Sequence, residues 1–188
     1  MLNPGVGYTD LWIRYDLYVP ANYYHRTQSD SANNKFFALF RDPYTSPGFQ
    51  VNFSTEPNGS GGSNIDVRYF NNGAGQGSRS SASAQNFLTS SSDAGRWHDI
   101  IMHFRVPTSQ NANDGVVQLW KNGNQIINIT DLASWGGSGM NYFDQAYVLG
   151  WSNSGYAQQT DFYVDNFVIS DTPLGVNPPG APGSINVQ

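Results

Sequence analysis

The 188-residue chain is long enough for one domain with a substantial core, and 14% aromatic against 12% charged residues marks it as globular rather than disordered. A net charge of -5, with nine Lys and Arg spread from Arg14 to Lys121 and no run among them, argues against a nucleic-acid partner. The lack of cysteine removes disulfides, thiolate catalysis and zinc–thiolate sites, and no apolar run approaches a membrane span.

Helix signals are nearly absent, and period-2 alternation in short runs dominates. Residues 11–19 put Leu11, Ile13, Tyr15, Leu17 and Val19 on one face and Trp12, Arg14, Asp16 and Tyr18 on the other. Pro20 ends the run because it has no N–H for the ladder. Strands follow at 35–41 and 49–54, with Asp42-Pro43-Tyr44 and Ser46-Pro47-Gly48 as turns between them. A further strand, 65–70, follows a Gly-rich tip, and residues 71–92 read as one long polar loop. The second half predicts strands at 97–106, 116–121, 125–129, 145–151 and 161–170. Lys121-Asn122-Gly123-Asn124 is the strongest hairpin signal, since Asn-Gly supplies the positive φ angles of a type I′ turn. About ten strands at short spacing predict an all-β, two-sheet antiparallel jelly-roll sandwich over residues 1–172. Residues 173–188, rich in Pro and Gly, are expected to be a linker into a further, truncated module of a longer protein. The N-terminus lacks the pattern of a signal peptide, so an exported form is expected to have lost its leader or to travel another way, for example in a virion.

Gly95-Arg96-Trp97-His98-Asp99-Ile100, followed by Asp114-Gly115 and Leu119-Trp120-Lys121-Asn122-Gly123, resembles the concanavalin A-like lectin/glucanase superfamily. The nearest likeness is to its polysaccharide-lyase branch, the heparin-lyase-I-like proteins. Tyr15-Asp16-Leu17-Tyr18-Val19-Pro20 is similar to the family's early strand, and Asp161-Phe162-Tyr163-Val164-Asp165-Asn166-Phe167 to its closing one, so the likeness covers residues 8–170. It implies the jelly-roll fold and a polysaccharide partner. It also implies a Gln-x-His on a central strand, which the comparable Phe36-Phe37-Ala38-Leu39-Phe40-Arg41 does not contain.

In a jelly roll the outer face of one curved sheet offers a groove for an extended chain. Alternation selects Trp12, Arg14, Asp16, Tyr18, Asn52, Arg68, His103, Arg105, Gln118, Trp120 and Trp151 as its lining. Rings beside planar polar groups suit sugars, whose C–H faces stack and whose hydroxyls seek amides and charged groups. Of the histidines, His98 is expected to make a structural hydrogen bond, His25 to lie in a loop, and His103 to be the best acid–base candidate. A β-elimination set would draw its carboxylate neutraliser from Arg14, Arg68 and Asn52, and its base and acid from His103, Tyr147 and Tyr142. Glycoside hydrolysis needs two paired carboxylates, and Glu56 is the lone glutamate. No cofactor is expected apart from a structural Ca²⁺ of the kind the resemblance implies, with Asp10, Asp161, Asp165 and Asp171 as candidate ligands.

The leading expectation is an extracellular carbohydrate-binding or adhesion module, secreted or on a virion surface, that recognises a polysaccharide or cell-surface glycan through a concave groove. One alternative is a polysaccharide lyase acting on a uronate polymer. Another is a structural module of a phage tail or capsid, a homo-oligomer whose exposed aromatics are subunit contacts.

Overall fold

Strand β1 (Asp10–Val19) alternates as its sequence dictates: Leu11, Ile13, Tyr15, Leu17 and Val19 are buried, and Trp12, Arg14, Asp16 and Tyr18 are half-buried on the other face. The structure, a computed structural model, describes Leu2 and residues 6–27, 33–41, 50–70, 76–79, 85–133 and 142–176. The turns at 42–48 and the tail from 177 lie outside the described residues.

β1 lies inside a five-stranded antiparallel sheet with β7 (Arg96–Arg105), β8 (Gly115–Lys121), β9 (Asn124–Leu132) and β11 (Tyr163–Ser170), in the order β11-β1-β7-β8-β9. This is the β1 sheet. The other, the β3 sheet, joins β2 (Asn34–Phe40), β3 (Gln50–Pro57), β4 (Ser63–Phe70), β5 (Gln76–Arg79) and β10 (Gln145–Val148) as β10-β2-β3-β4-β5, with β6 (Gln85–Leu88) also pairing to β4. No helix is present among the described residues, and the jelly-roll sandwich read from the sequence is the observed fold.

The facing sides of the sheets supply one core. Phe104 of β7 sits among Phe37, Phe53 and Phe143, with ring centroids 5.6, 5.3 and 6.4 Å away. Phe36 meets Phe87 edge-on at 4.7 Å and lies beside Tyr15. All these side chains are buried, which is where an apolar, alternating sequence gains most of its stability.

Two expectations change. The presumed loop 71–92 contains β5 and β6, both paired to β4. Gln76-Gly77-Ser78-Arg79 has no apolar alternation to announce a strand, and pairing at a sheet edge needs only backbone donors and acceptors. The strand predicted at 145–151 stops at Val148, where Leu149 takes a left-handed φ of 47° that breaks the pleat. The hairpin signal holds: Asn122 and Gly123 have φ of 52° and 77°, as a type I′ turn requires. Gly123→Ala is therefore expected to cost about 1–2 kcal/mol. Urea unfolding should show this as a lower midpoint with an unchanged slope.

Candidate functional site

The outer face of the β3 sheet carries a cluster of polar side chains in two adjoining rungs. In the first, Tyr147 of β10 stands opposite Ala38, Ala38 opposite Asn52, and Asn52 opposite Arg68. In the second, Lys35 stands opposite Ser54, and Ser54 opposite Asp66. Glu56, two residues beyond Ser54, closes the cluster by bonding Arg68 Nη2.

Lys35 reaches this face through a bulge. The β2–β3 register shifts between Lys35 and Phe37, so strict alternation fails there. Lys35 turns outward although Phe37 and Leu39 point inward, and Phe36 rotates into the core against Phe87. The same segment then packs on the chain after β10: Lys35 N donates to Trp151 O and Gly150 N donates to Lys35 O. A Cβ on Gly150 would lie 2.9 Å from the Tyr147 ring and 3.1 Å from Lys35 Cβ. Glycine here lets the lysine stem and the tyrosine ring approach one another. Trp151, half of its surface exposed, lies at the rim with its ring 6.0 Å from that of Tyr147. A cavity of about 110 Å³ opens beside Lys35, lined by Phe36, Leu88, Tyr156, Phe162 and Trp151 among others.

On this face Asn52 Oδ1, Ser54 Oγ, Asp66 Oδ1 and Arg68 Nε are buried without a hydrogen-bond partner among the described residues. The last two are 3.7 Å apart, an ion pair too long for a hydrogen bond. Orphaned buried polar groups are costly, and a cluster of them on one face is the mark of a ligand site. The electrostatics are equally unusual. Burial, helped by the Arg68 charge, pushes the Lys35 amine below the ordinary lysine range. Burial also raises the Glu56 and Asp66 carboxyls, against the pull of Arg68.

The sequence-predicted site residues divide between opposite faces of the sandwich. Asn52, Arg68 and Tyr147 lie on the β3 sheet with Trp151 at its rim. Trp12, Arg14, Asp16, Tyr18, His103, Arg105, Gln118 and Trp120 lie on the outer face of the β1 sheet. The single shared wall is thus corrected to two, because β1, β7 and β8 belong to one sheet and β3 and β4 to the other. The combination of His103, Arg14 and Tyr147 is not brought together. On its own face His103 is fully engaged, one ring nitrogen 2.9 Å from Gln118 Oε1 and the other 2.8 Å from Asp10 Oδ1. It also stacks on Trp12 at 4.1 Å, and Trp12 on Trp120 at 5.8 Å. Arg14 donates to Asp99 at 2.7 Å. Tyr142 lies under the Arg41 guanidinium, 4.9 Å from ring centre to charge. His98 and His25 are buried and bonded, to Asp93 O and Ser63 Oγ respectively.

The aspartates proposed for calcium do not converge. Antiparallel pairing places Asp165 opposite Asp16, whereas Asp10 lies at the far end of β1, roughly 20 Å away on strand rise. Asp161 accepts from Gln159 beyond the start of β11, and Asp171 follows its end. No group of three or more metal-binding side chains occurs among the described residues.

Comparison with known proteins decides between the remaining families of this fold. The sequence model of the polysaccharide lyases matches residues 6–146. The chain belongs to the polysaccharide lyase family. No curated protein matches the sequence. Among solved structures, the alginate lyase Aly36B superposes with a TM-score of 0.61 at 15% identity, over 87% of this chain and 70% of that one. An alginate lyase from a Chlorella virus gives 0.61 at 11% identity, over 88% and 72%. A marine alginate lyase from Aplysia kurodai gives 0.53 at 15%, over 89% and 71%. These likenesses show a shared fold. In this polysaccharide lyase family member, four site residues escape simple sequence reading: Lys35, Ser54, Glu56 and Asp66. Counting by twos from Asn52 and Arg68 finds the last three; the bulge hides the lysine.

Proposed function

We propose that the chain cleaves an alginate-like polyuronate by β-elimination on the outer face of the β3 sheet. The observation that carries this is the set of unpartnered buried polar atoms around a lysine whose amine is shifted toward neutrality. The family match, and the occurrence of this fold in alginate lyases, support cleavage over the binding module that the sequence alone favours.

Roles follow from donor and acceptor chemistry. Arg68 Nε and the Asn52 amide donate to the sugar carboxylate, with Glu56 holding the guanidinium until the substrate competes for it. Neutralising the carboxylate acidifies the adjacent C5–H. The Lys35 amine, in its deprotonated form, takes that proton, and the C5 electron pair forms the C4=C5 double bond as the C4–O4 bond breaks. The Tyr147 phenol protonates the departing O4, and solvent returns the Lys35 proton to Tyr147. Asn52 Oδ1, Ser54 Oγ and Asp66 Oδ1 meet sugar hydroxyls, and Trp151 offers a stacking ring at the rim.

Incubation with alginate, polygalacturonate and hyaluronan should generate, with at least one of them, the ultraviolet absorbance of unsaturated uronate ends. Binding without any such rise is the signature of a non-catalytic module and would end the lyase reading. The active base is the deprotonated amine, so the rate should climb with pH to a midpoint below the ordinary lysine value of 10.5. A rate that falls as pH rises above neutrality would contradict that role.

A further inference from the structure

The outer face of the β1 sheet carries a second set of exposed rings, remote from the proposed lyase face. Tyr163, Tyr18 and Trp97 form one rung across β11, β1 and β7, since Tyr18 pairs with Tyr163 on one side and Trp97 on the other. The ring centroids are 5.7 and 5.4 Å apart. Trp97 and Tyr163 are 51% and 55% exposed, unusual for such side chains on a regular strand. Two strand spacings make this a platform roughly 10 Å long.

The neighbouring rungs are polar. Asp165, Asp16 and Asp99 stand in register, with Asn166 Nδ2 donating to Asp16 at 2.6 Å and Arg14 to Asp99 at 2.7 Å. One oxygen and one nitrogen of that last pair, Asp99 Oδ2 and Arg14 Nη2, are buried and without hydrogen-bond partners among the described residues. The Asp99 side chain is only 8% exposed, so an orphan there is expensive unless a ligand hydroxyl meets it. Rings for C–H faces, beside an acceptor and a donor for hydroxyls, are the requirements of a sugar chain. The charge selects among sugars. The single cation of this set, Arg14, is offset by Asp99, and two further aspartates flank it, so a polyuronate is repelled.

We propose that this platform is a second glycan-binding site, for a neutral hexopyranose polymer. It would hold the protein on a neutral polymer while the opposite face, on the lyase reading, works on an acidic one. The inference stands on residues that the lyase reading does not use.

Affinity electrophoresis through gels containing galactomannan, hydroxyethylcellulose or xylan, with alginate as the anionic comparison, tests it. At least one neutral polymer should retard the protein. Trp97→Ala and Tyr163→Ala should each weaken that retardation by roughly tenfold, as expected for a lost stacking ring, while Lys35→Ala retains it. Tyr163 is on an edge strand, so its variant keeps the test valid should Trp97→Ala fold poorly. The proposal is overturned if no neutral gel slows the protein, if both ring variants migrate as the parent does, or if light scattering shows a dimer that buries Trp97. Retardation that persists in a protein with no lyase activity would sink only the lyase reading.

Discussion

Lys35→Ala should lower kcat/KM on a polyuronate by about 10²- to 10⁴-fold, the usual contribution of a positioned general base. Stability should barely change, because Lys35 is half-buried and its charged form is already disfavoured, first by burial and then by the positive Arg68 nearby. Lys35→Arg makes the test sharper: it restores the charge, but a guanidinium does not give up its proton in a protein, so it should be as inactive as the alanine variant. Full recovery with arginine would reduce Lys35 to an electrostatic contact. Stopped assays for unsaturated ends, paired with polymer binding, separate the two: the variant should lose turnover while retaining affinity.

Phe104→Ala should be the most damaging single change to the fold. Phe104 is wholly buried, and its ring touches Phe37 and Phe53 from the β3 sheet together with Phe143, so it joins the two layers. Truncation leaves a cavity bounded by rigid rings that cannot close over it, and costs about 3–5 kcal/mol. For a chain of this size that corresponds to a fall in Tm of roughly 10 °C. A loss below about 1 kcal/mol would mean that the layers pack more loosely than the ring geometry implies.

Most of the architecture was legible because strands buried on one side declare themselves by alternation. β1 is the clearest instance, and Asn122-Gly123 fixed the β8–β9 turn by backbone chemistry alone. β5 and β6 were invisible for the opposite reason: Gln76-Gly77-Ser78-Arg79 has no apolar alternation to announce a strand, and β6 offers only the adjacent pair Phe87 and Leu88, both buried, inside a polar stretch. The site was half legible. Asn52, Arg68 and Tyr147 follow from polarity on a strand, but which sheet each strand joins depends on long-range pairing that local pattern does not encode. This is why the His103 and Trp12 stripe, on the other sheet, looked like part of the same wall. Lys35 was lost to the bulge, which inverts the alternation at one point and brings the amine beside Arg68.

The two faces can be set against each other directly by measuring kcat/KM on one polyuronate for Arg68→Ala and for His103→Ala. If catalysis belongs to the β3 sheet, the arginine variant loses a hundredfold or more, roughly the worth of a buried charged hydrogen bond to substrate, and the histidine variant stays within a few-fold of the parent. A collapse of activity in His103→Ala with Arg68→Ala unimpaired would place the chemistry on the β1 sheet instead.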